Sequence, residues 1–453
     1  MAYIAPFRAL RYDPARASIS KVVTQPYDKI SPAMQEGYYA ASPYNLVRIE
    51  LGKRENGDGE QESTYTRAAS SFGEWRRQGV FLQDPQPSIY AYVQRFAPPG
   101  GSAELERRGF IALGRIEDYS AGVVFRHEQT LAKPKADRLN LLRATRAHFG
   151  QIFMLYSDPG AEVEGLLAPS STPDLELRDE FGVTHQLWKI SDFGLIEMVR
   201  GKMRDKKLII ADGHHRYETA LAYRNERRAA ASSAGNSAAG APRERSATSS
   251  NEDGAELASY EMLMMTFINM DSSGLVILPT HRVVHGLDAF SPDEFAEGAR
   301  KYFTVEQVDP AMSALRAEAI LREEGKTGTA LLAVAADRAF LLHTPKALGS
   351  EVFSGLSSRQ QSLDVVQLHK ALLEGVLALS PESIRDQQNL SYVRDTGEAL
   401  ARVRSGEANV AFLMNSARMQ QVRDIAFASE VLPQKSTDFY PKLLSGLTIY
   451  ALE

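Results

Sequence analysis

The sequence contains no cysteine, which excludes disulfide bonds, thiolate catalysis and metal sites built on thiolates. It also lacks any apolar run near the ~20 residues that a membrane-spanning helix needs. The first eight residues are too short, and too interrupted by Pro6, to form the apolar part of a signal peptide. These absences predict a cytoplasmic protein with no membrane partner.

An excess of positive charge is missing as well, since the formal net charge is −5. General nucleic-acid binders usually present a broad basic face, so we expect no nucleic-acid partner. The sequence has no Walker A motif, no GxGxxG fingerprint and no GxSxG elbow. Arg126-His-Glu128 begins like a zinc-protease motif, but the position of the second histidine holds Leu131. The sequence therefore does not favour the common classes of nucleotide-binding protein, hydrolase or metalloprotease that these motifs identify.

The 453 residues are 43% apolar and 24% charged, which is typical of a globular protein long enough for more than one core. Strand and helix patterns alternate along the chain and predict an α+β fold. A helix is predicted over Thr64–Gln78, antiparallel neighbouring strands over Ser88–Phe96 and Gly109–Ile116, and a last strand over Leu447–Leu452. Residues 229–257 are mostly small or charged and cannot bury enough apolar surface to order themselves. We expect a disordered insertion there, between an N-terminal part (1–228) and a C-terminal part (258–453) that contribute to the same cleft.

The most informative stretch runs from Lys207 to Arg224. Leu208–Ala211 is an apolar run typical of a buried strand, Asp212 and Gly213 interrupt it, and a helix is predicted from His214. A strand, a glycine turn and a helix N-terminus together form an anion site, because helix-end N–H groups and the helix dipole favour negative charge. The groups that would hold a phosphate are Gly213, His214, His215 and Arg216. The alternative is a turn whose histidines only cap and pack.

Two earlier stretches add polar side chains. In Val22–Ser31, Pro26 stiffens the backbone and Asp28 is a candidate to face a cleft, although a plain turn explains the same residues. Lys133–His148 is locally basic and is predicted to be helical from Asp137 onward. It forms either a cationic wall for a phosphorylated ligand or a solvated cationic face, and the sequence leaves both open.

Three later stretches complete the pattern. Ser259–Met270 and Leu275–Leu278 are predicted strands in a hairpin-like arrangement, and the second ends in the polar cluster Pro279–Arg282. Asp364–Leu377 is predicted to be an amphipathic helix with His369 as a core histidine. Leu432–Leu447 is framed by prolines and carries lysines that could reach a phosphate. A capped turn and a surface turn are the alternatives for the polar cluster and for this last segment.

As a set, several motifs resemble a bacterial family known only as domain of unknown function 1015, and the resemblance spans nearly the whole chain apart from the low-complexity insertion. The motifs are Pro26-Tyr-Asp28, Arg126-His-Glu128, Lys133-Pro-Lys-Ala-Asp-Arg138, Asp212-Gly-His-His-Arg216, Pro279-Thr-His-Arg282 and Pro433-Gln-Lys-Ser-Thr437.

The Asp212–Arg216 motif also resembles the phosphate-binding turn of the ParB/sulfiredoxin superfamily, some members of which are ATP-dependent kinases of free serine. This likeness implies a mixed sheet with a ParB/sulfiredoxin-like nucleotide-binding core and a second α/β C-terminal part. The absence of cysteine excludes the sulfinic-acid repair of sulfiredoxin. We see no sign of the DNA-binding helical domain that ParB proteins carry.

We therefore expect phosphoryl transfer between a nucleotide, ATP or ADP, and a small hydroxylated metabolite, with L-serine as one candidate, Mg²⁺ as a cofactor and a homodimer as one assembly. Such chemistry needs phosphates held in line, their charge neutralised, and a base on the acceptor hydroxyl. Asp212 would orient magnesium or the nucleotide, and Glu128 or Asp28 would be the base. The further phosphate contacts would be Arg282 and Lys435. The substrate contacts would be Tyr27, His127, Arg138, His281, Ser436 and Thr437.

Three other functions fit the same residues. A nucleotide sensor would use the same turn without catalysis. An enzyme acting on phosphoserine, by hydrolysis or by reverse transfer, would have the same site. A DNA clamp of the ParB type is disfavoured by the acidic charge balance.

Overall fold

The structure is a computed structural model that describes residues 1–59, 62–101, 103–128, 132–235, 257–346 and 350–452. The chain divides into two compact units. Unit 1 comprises Met1–Arg126, Thr130–Val276 and Pro441–Glu453, and unit 2 comprises His127–Gln129 and Ile277–Tyr440. Of the predicted insertion, residues 236–256 lie outside the described residues, whereas its first residues are helical.

The strands are short to medium in length. In chain order they are β1 (Ile4–Ala5), β2 (Leu10–Tyr12), β3 (Phe81–Gln83), β4 (Ile89–Phe96), β5 (Leu105–Arg115), β6 (Val124–Phe125), β7 (Ala147–His148), β8 (Ile152–Tyr156), β9 (Leu175–Arg178), β10 (Thr184–Ile190), β11 (Leu208–Asp212), β12 (Met262–Asn269), β13 (Val276–Leu278), β14 (His281–Val284), β15 (Thr304–Val308), β16 (Ala330–Val334), β17 (Ala339–His343), β18 (Leu390–Val393), β19 (Val410–Met414), β20 (Asp438–Tyr440) and β21 (Tyr450–Ala451).

The helices differ widely in length. The α-helices are α1 (Ile19–Val22), α2 (Pro32–Ala41), α3 (Val47–Glu50), α4 (Thr64–Arg77), α5 (Ala132–Thr145), α6 (Glu162–Leu166), α7 (Phe193–Met203), α8 (His214–Gly235), α9 (Pro292–Ala299), α10 (Ala314–Glu324), α11 (Ser358–Gln361), α12 (Asp364–Gln367), α13 (Pro381–Asp386), α14 (Thr396–Arg404) and α15 (Met419–Phe427). A π-helix, Leu368–Val376, follows α12 directly. Among the described residues, none of these helices has the length and apolar character needed to cross a bilayer.

Unit 1 is built on a mixed sheet with the strand order β6-β11-β8-β12-β5-β4-β10-β9, and β1 also pairs with β5. β11 runs parallel to β6, and β12 runs parallel to β8. β8 and β12 are buried along their whole length, which explains their nearly continuous apolar sequences. The inner sides of α7 and α8 pack on this sheet through residues such as Ile196, Val199 and Tyr217. The mixed α+β architecture expected from the sequence is thus observed.

Unit 2 contains a six-stranded antiparallel sheet with the order β15-β17-β16-β19-β14-β18. Alternate residues of β16 enter two different cores. Leu331 and Ala333 belong to one core, and Leu332 and Val334 belong to the other. Because side chains along a strand point to opposite faces in turn, both faces of this sheet are covered by helices.

The strand predictions had mixed outcomes. β4 and β5 are antiparallel neighbours as expected. The predicted hairpin between Ser259–Met270 and Leu275–Leu278 is wrong, because β12 pairs with β8 and β5 while β13 pairs with β20. Both edges of the central strand β12 are thus occupied by other strands. The predicted strand Leu447–Leu452 is reduced to β21, which pairs with β7.

Candidate functional site

At the end of β11, the Asp212 carboxylate lies between two cations. Arg216 Nη2 donates to Oδ2 at 2.9 Å, and Lys442 Nζ donates to Oδ1 at 3.0 Å. Burial alone would raise the pKa of Asp212, but the positive charges of Lys442, Arg216 and Lys29 outweigh it and hold the pKa well below 3.8. Asp212 is therefore ionised at neutral pH and fixes two cations near the start of α8.

The backbone around Asp212 is shaped by a β-bulge and a glycine. The pairing of β11 with β8 shifts between Ile210 and Asp212, and such bulges redirect the side chains next to them. Gly213 then adopts φ +93°, and its carbonyl accepts the Tyr217 N–H at 2.9 Å. A Cβ at Gly213 would lie 3.1 Å from both Arg216 Nη2 and Ile152 Cδ1. Glycine thus leaves room for Arg216 to fold back onto Asp212, and close approach of a phosphate to this backbone stays a prediction.

Replacing Gly213 with alanine is expected to lower the free energy of unfolding by about 2–3 kcal/mol, because left-handed strain and overpacking act together. Urea denaturation of the purified protein would measure this loss. Gly122 is the matched control, since it also has positive φ (+66°) but open space around its Cβ position. Gly122→Ala should cost about 1–2 kcal/mol from strain alone. Equal losses in the two variants would contradict the packing role of Gly213.

A buried carboxylate, Glu50 at the end of α3, faces the same arginine. Arg216 Nη1 donates to the Gln151 carbonyl at 2.6 Å. A Cβ added to Gly150 would lie 3.0 Å from that Nη1 and 3.4 Å from Glu50 Oε1, so both groups reach the same point. Glu50 is only 5% exposed. Burial raises its pKa above 4.5 despite the positive charges of Arg138 and Arg216, so Glu50 holds its proton to higher pH than an exposed glutamate.

This raised pKa predicts a pH-dependent loss of stability. A carboxyl whose pKa is raised by folding contributes stability that is complete below the unfolded-state value, here 4.5, and is lost as pH rises through the folded-state value. The difference in unfolding free energy, wild type minus Glu50→Gln, should therefore fall as pH rises from below 4.5 toward neutrality. Denaturant titrations at a series of pH values would measure it. The same difference for Asp212→Asn should stay nearly constant over this range and fall only as pH drops below the unfolded-state value of 3.8, because the pKa of Asp212 is lowered. A fall with rising pH in both comparisons would contradict the assignment.

The Tyr27–Lys29 turn lies against these groups. The Arg138 guanidinium lies 4.2 Å above the Tyr27 ring centre and donates from Nη1 to the Glu50 carbonyl at 2.6 Å. Burial raises the pKa of Tyr27 to about 12, with a further contribution from Asp28. Asp28 is exposed, and its charge also acts on Glu50 and Arg216. Tyr27, Asp28 and Arg138 are therefore part of the Asp212 site.

The first residues of α8 and the basic helix α5 complete this site. His214 is buried and His215 is half-buried. Lys135 of α5 forms an ion pair with Glu218 at 2.8 Å, and the closest Arg143–Glu226 distance is 2.5 Å. The basic residues of α5 thus have different contacts. Lys135 and Arg143 pair with glutamates of α8, whereas Arg138 points into the site.

The remaining predicted site residues gather in unit 2, where residues 127–128 lie along the segment 432–437. His127 Nε2 is 2.7 Å from Thr437 Oγ1, and the Leu432 N–H donates to the His127 carbonyl at 2.8 Å. The Lys435 N–H donates to Glu128 Oε1. Ser436 Oγ donates to the Pro433 carbonyl. Two distant motifs are brought together here, and their catalytic and substrate roles stay predictions.

Arg282 and His281 are buried in unit 2. Arg282 has no exposed surface, and its guanidinium donates to the carbonyls of Thr280, Gln434 and Lys435 and to His369 Nε2. Burial and Arg282 lower the pKa of His281 to about 4, so His281 is neutral at neutral pH. His369 is a buried, hydrogen-bonded histidine, as expected. A direct contact between Arg282 and a phosphate stays a prediction, and the structure engages this guanidinium with protein groups.

The sequence-predicted site residues thus form two groups, one in each unit, and the shared cleft stays a prediction. Glu50 was missed because only its place among the apolar residues of 46–51 distinguishes it from a surface glutamate. Lys442 was noted as a lysine of the proline-framed segment but was not assigned to the site. Its contact with Asp212 joins residues 230 positions apart, which no local pattern reveals.

The model of the family described as "Protein of unknown function (DUF1015)" matches residues 4–366. The chain belongs to this family. The match confirms the family predicted from the motifs. No curated protein matches the sequence of this DUF1015 member.

Some solved structures resemble this DUF1015 chain weakly. A free serine kinase in complex with AMP is 13% identical, with a TM-score of 0.33 over 70% of this chain and 83% of the kinase. A conserved hypothetical protein from Pyrococcus furiosus is 11% identical, with a TM-score of 0.34 over 71% and 88% of the two chains. C-terminally truncated SbnI from Staphylococcus aureus is 9% identical, with a TM-score of 0.35 over 75% and 87%.

Proposed function

We propose that this DUF1015 protein is a nucleotide-dependent phosphotransferase that moves a phosphoryl group between ATP or ADP and a small hydroxylated metabolite, with L-serine as the first acceptor to test. The observation that carries the proposal is the half-buried Asp212, which fixes Arg216 and Lys442 at the start of α8. Beside them, Glu50 has a pKa raised by burial. Fixed cations next to such a carboxylate suit phosphoryl transfer.

The cations would hold the phosphates. Arginine has five N–H donors, and the contacts of Arg216 with Asp212 and Gln151 leave further donors for phosphate oxygens. Lys442 and Lys29 add positive charge around Asp212. Because Asp212 already fixes the two nearer side chains, little conformational freedom would be lost when phosphate binds. The α8 N-terminus would add its dipole.

Two carboxylates of unit 1 are candidates for the base that takes the proton from the acceptor hydroxyl. A base works best when its pKa lies near the working pH, and burial moves the pKa of Glu50 in that direction. Asp28 is exposed and acts electrostatically on the same arginine. We place Glu50 first and Asp28 second. Glu128 of unit 2 stays a third candidate.

Magnesium would neutralise phosphate charge, as it does in other phosphoryl-transfer sites. Both oxygens of Asp212, the predicted ligand, accept hydrogen bonds from cations. The described residues contain no group of three or more His, Asp or Glu side chains placed to hold a metal ion. A magnesium ion here would therefore depend on the phosphates for most of its ligands, and Asp212 would have to give up a cation.

The test is a panel of small hydroxylated metabolites, headed by L-serine, incubated with ATP labelled at the γ-phosphate and with magnesium. Transfer of label to one acceptor is the expected result. If the protein neither binds nor consumes ATP, the proposal is wrong. Tight ATP binding without transfer to any acceptor would favour a nucleotide sensor, and ATP formation from ADP and phosphoserine would assign the reverse direction.

A further inference from the structure

Unit 2 contains a cavity of about 440 Å³ that none of the predicted chemistry uses. One wall is the π-helix Leu368–Val376, which supplies His369, Lys370 and Glu374. π-helical segments are rare and occur frequently at functional sites. The other walls are mostly apolar and include Leu356, Val366, Ile384, Tyr392, Leu432 and Pro433. A largely apolar cavity with a few polar groups is the usual form of a small-molecule site.

His369 gives this cavity a hydrogen-bond donor of fixed tautomer. Arg282 Nε donates to His369 Nε2 at 3.2 Å, so Nε2 is unprotonated and the ring proton resides on Nδ1. Burial and the charges of Arg282 and Lys370 lower the pKa of His369 well below 6.5, so the ring is neutral. The side chain lines the cavity and is 6% exposed. It can donate one hydrogen bond to a bound oxygen.

Arg282 supplies positive charge behind His369. Its guanidinium lies 5.0 Å from the centre of the Tyr392 ring, which also lines the cavity. Burial lowers its pKa only to about 10, so it is charged at neutral pH. Its hydrogen bonds go to His369, backbone carbonyls and the Met414 sulfur, all of which are neutral. A buried cation with neutral partners is stabilised by a nearby anion.

The other charged groups of the cavity do not cancel this preference. Glu374 lines the wall, but Lys370 Nζ donates to it at 2.7 Å, so the two form a neutral pair. Arg385 pairs with its neighbour Asp386 at 2.9 Å. Glu128 is the acidic side chain that acts on Arg282, and the Lys435 N–H donates to it. Glu128 is only half-buried, so water screens part of its charge and the positive charge of Arg282 is offset only in part.

We propose that this cavity binds a small monocarboxylate with an apolar body. The His369 N–H would donate to a carboxylate oxygen, the Arg282 charge would favour the anion, and the apolar walls would cover the rest of the molecule. Phosphorylated ligands fit less well, because Lys370 and Arg385, the cations among the described residues that line the cavity, both have acidic partners. The cavity lies within unit 2, and its lining contains neither Asp212 nor the two cations that Asp212 holds.

Calorimetry on the full chain with 3-phenylpropionate and its uncharged amide tests this assignment. The acid should bind about tenfold more tightly than the amide, because only the acid offsets the buried charge. Leu356→Trp, which fills the cavity, should abolish binding. The matched control is Leu315→Trp, since Leu315 is 75% exposed elsewhere in unit 2. Absence of binding, equal binding of acid and amide, or binding that survives Leu356→Trp would overturn the proposal.

His369→Phe tests the donor separately. Loss of one hydrogen bond should weaken binding of both the acid and the amide by about tenfold, and circular dichroism would confirm that the variant folds. If it does not fold, Leu356→Trp and the acid–amide pair decide the question. ATP binding by wild-type protein should be unchanged when 3-phenylpropionate is present, so failure of this proposal and failure of the phosphotransferase proposal are distinguishable.

Discussion

Arg216→Met is expected to weaken ATP binding by about 100-fold or more, because it removes a fixed, partly buried guanidinium that pairs with a charge. In the wild type, Arg216 joins Asp212 to the Gln151 carbonyl. The variant would lose the phosphate contact, and Asp212 would keep its hydrogen bond from Lys442. Isothermal titration calorimetry with ATP would measure the change in affinity.

The control for this prediction is Arg143→Met. Arg143 is an exposed arginine of the neighbouring helix α5 that pairs with Glu226, so its loss should change ATP affinity by less than about twofold. Melting temperatures of both variants would separate unfolding from lost binding. If Arg216→Met folds and binds ATP as tightly as Arg143→Met does, Arg216 does not hold the phosphates.

Glu50→Gln is expected to reduce the rate of phosphoryl transfer by about 10²–10⁴-fold, because that is the usual contribution of a positioned general base. The glutamine keeps the size and a hydrogen-bonding end but cannot accept a proton. ATP affinity should stay within about threefold, because the phosphate-binding cations remain in place. Single-turnover measurements with labelled ATP and the acceptor found in the panel would separate the two quantities.

Glu164→Gln is the control for Glu50, because burial also raises the pKa of Glu164 in the same unit. Its transfer rate should match the wild type. If Glu50→Gln loses ATP affinity as strongly as it loses turnover, Glu50 maintains the shape of the site and does not take the proton. If both variants keep full turnover, Asp28 becomes the base to test.

Local sequence patterns predicted much of the fold around the site. The apolar run before Asp212, the Asp-Gly break and the uninterrupted helix after it correspond to β11, the turn and α8. These features follow from residue preferences over a few positions. The same kind of reasoning placed α4 and the antiparallel β4–β5 pair correctly.

Features that depend on distant parts of the chain could not be predicted. The bulge before Asp212 follows from its pairing with β8, and the predicted β12–β13 hairpin failed because other strands occupy both edges of β12. Glu50 gains its raised pKa only from tertiary burial. Lys442 reaches Asp212 from the far end of the chain. In each case the contact joins residues that lie too far apart in the sequence for a local pattern to reveal it.

The central claim is that the cations held by Asp212 bind the phosphates of a nucleotide, and calorimetry with ATP and adenosine tests it most directly. Wild-type protein should bind ATP about 100-fold more tightly than adenosine, and Lys442→Met should reduce that ratio by about tenfold while leaving adenosine affinity unchanged. Equal affinities for ATP and adenosine in the wild type, or an unchanged ratio in Lys442→Met, would contradict the claim.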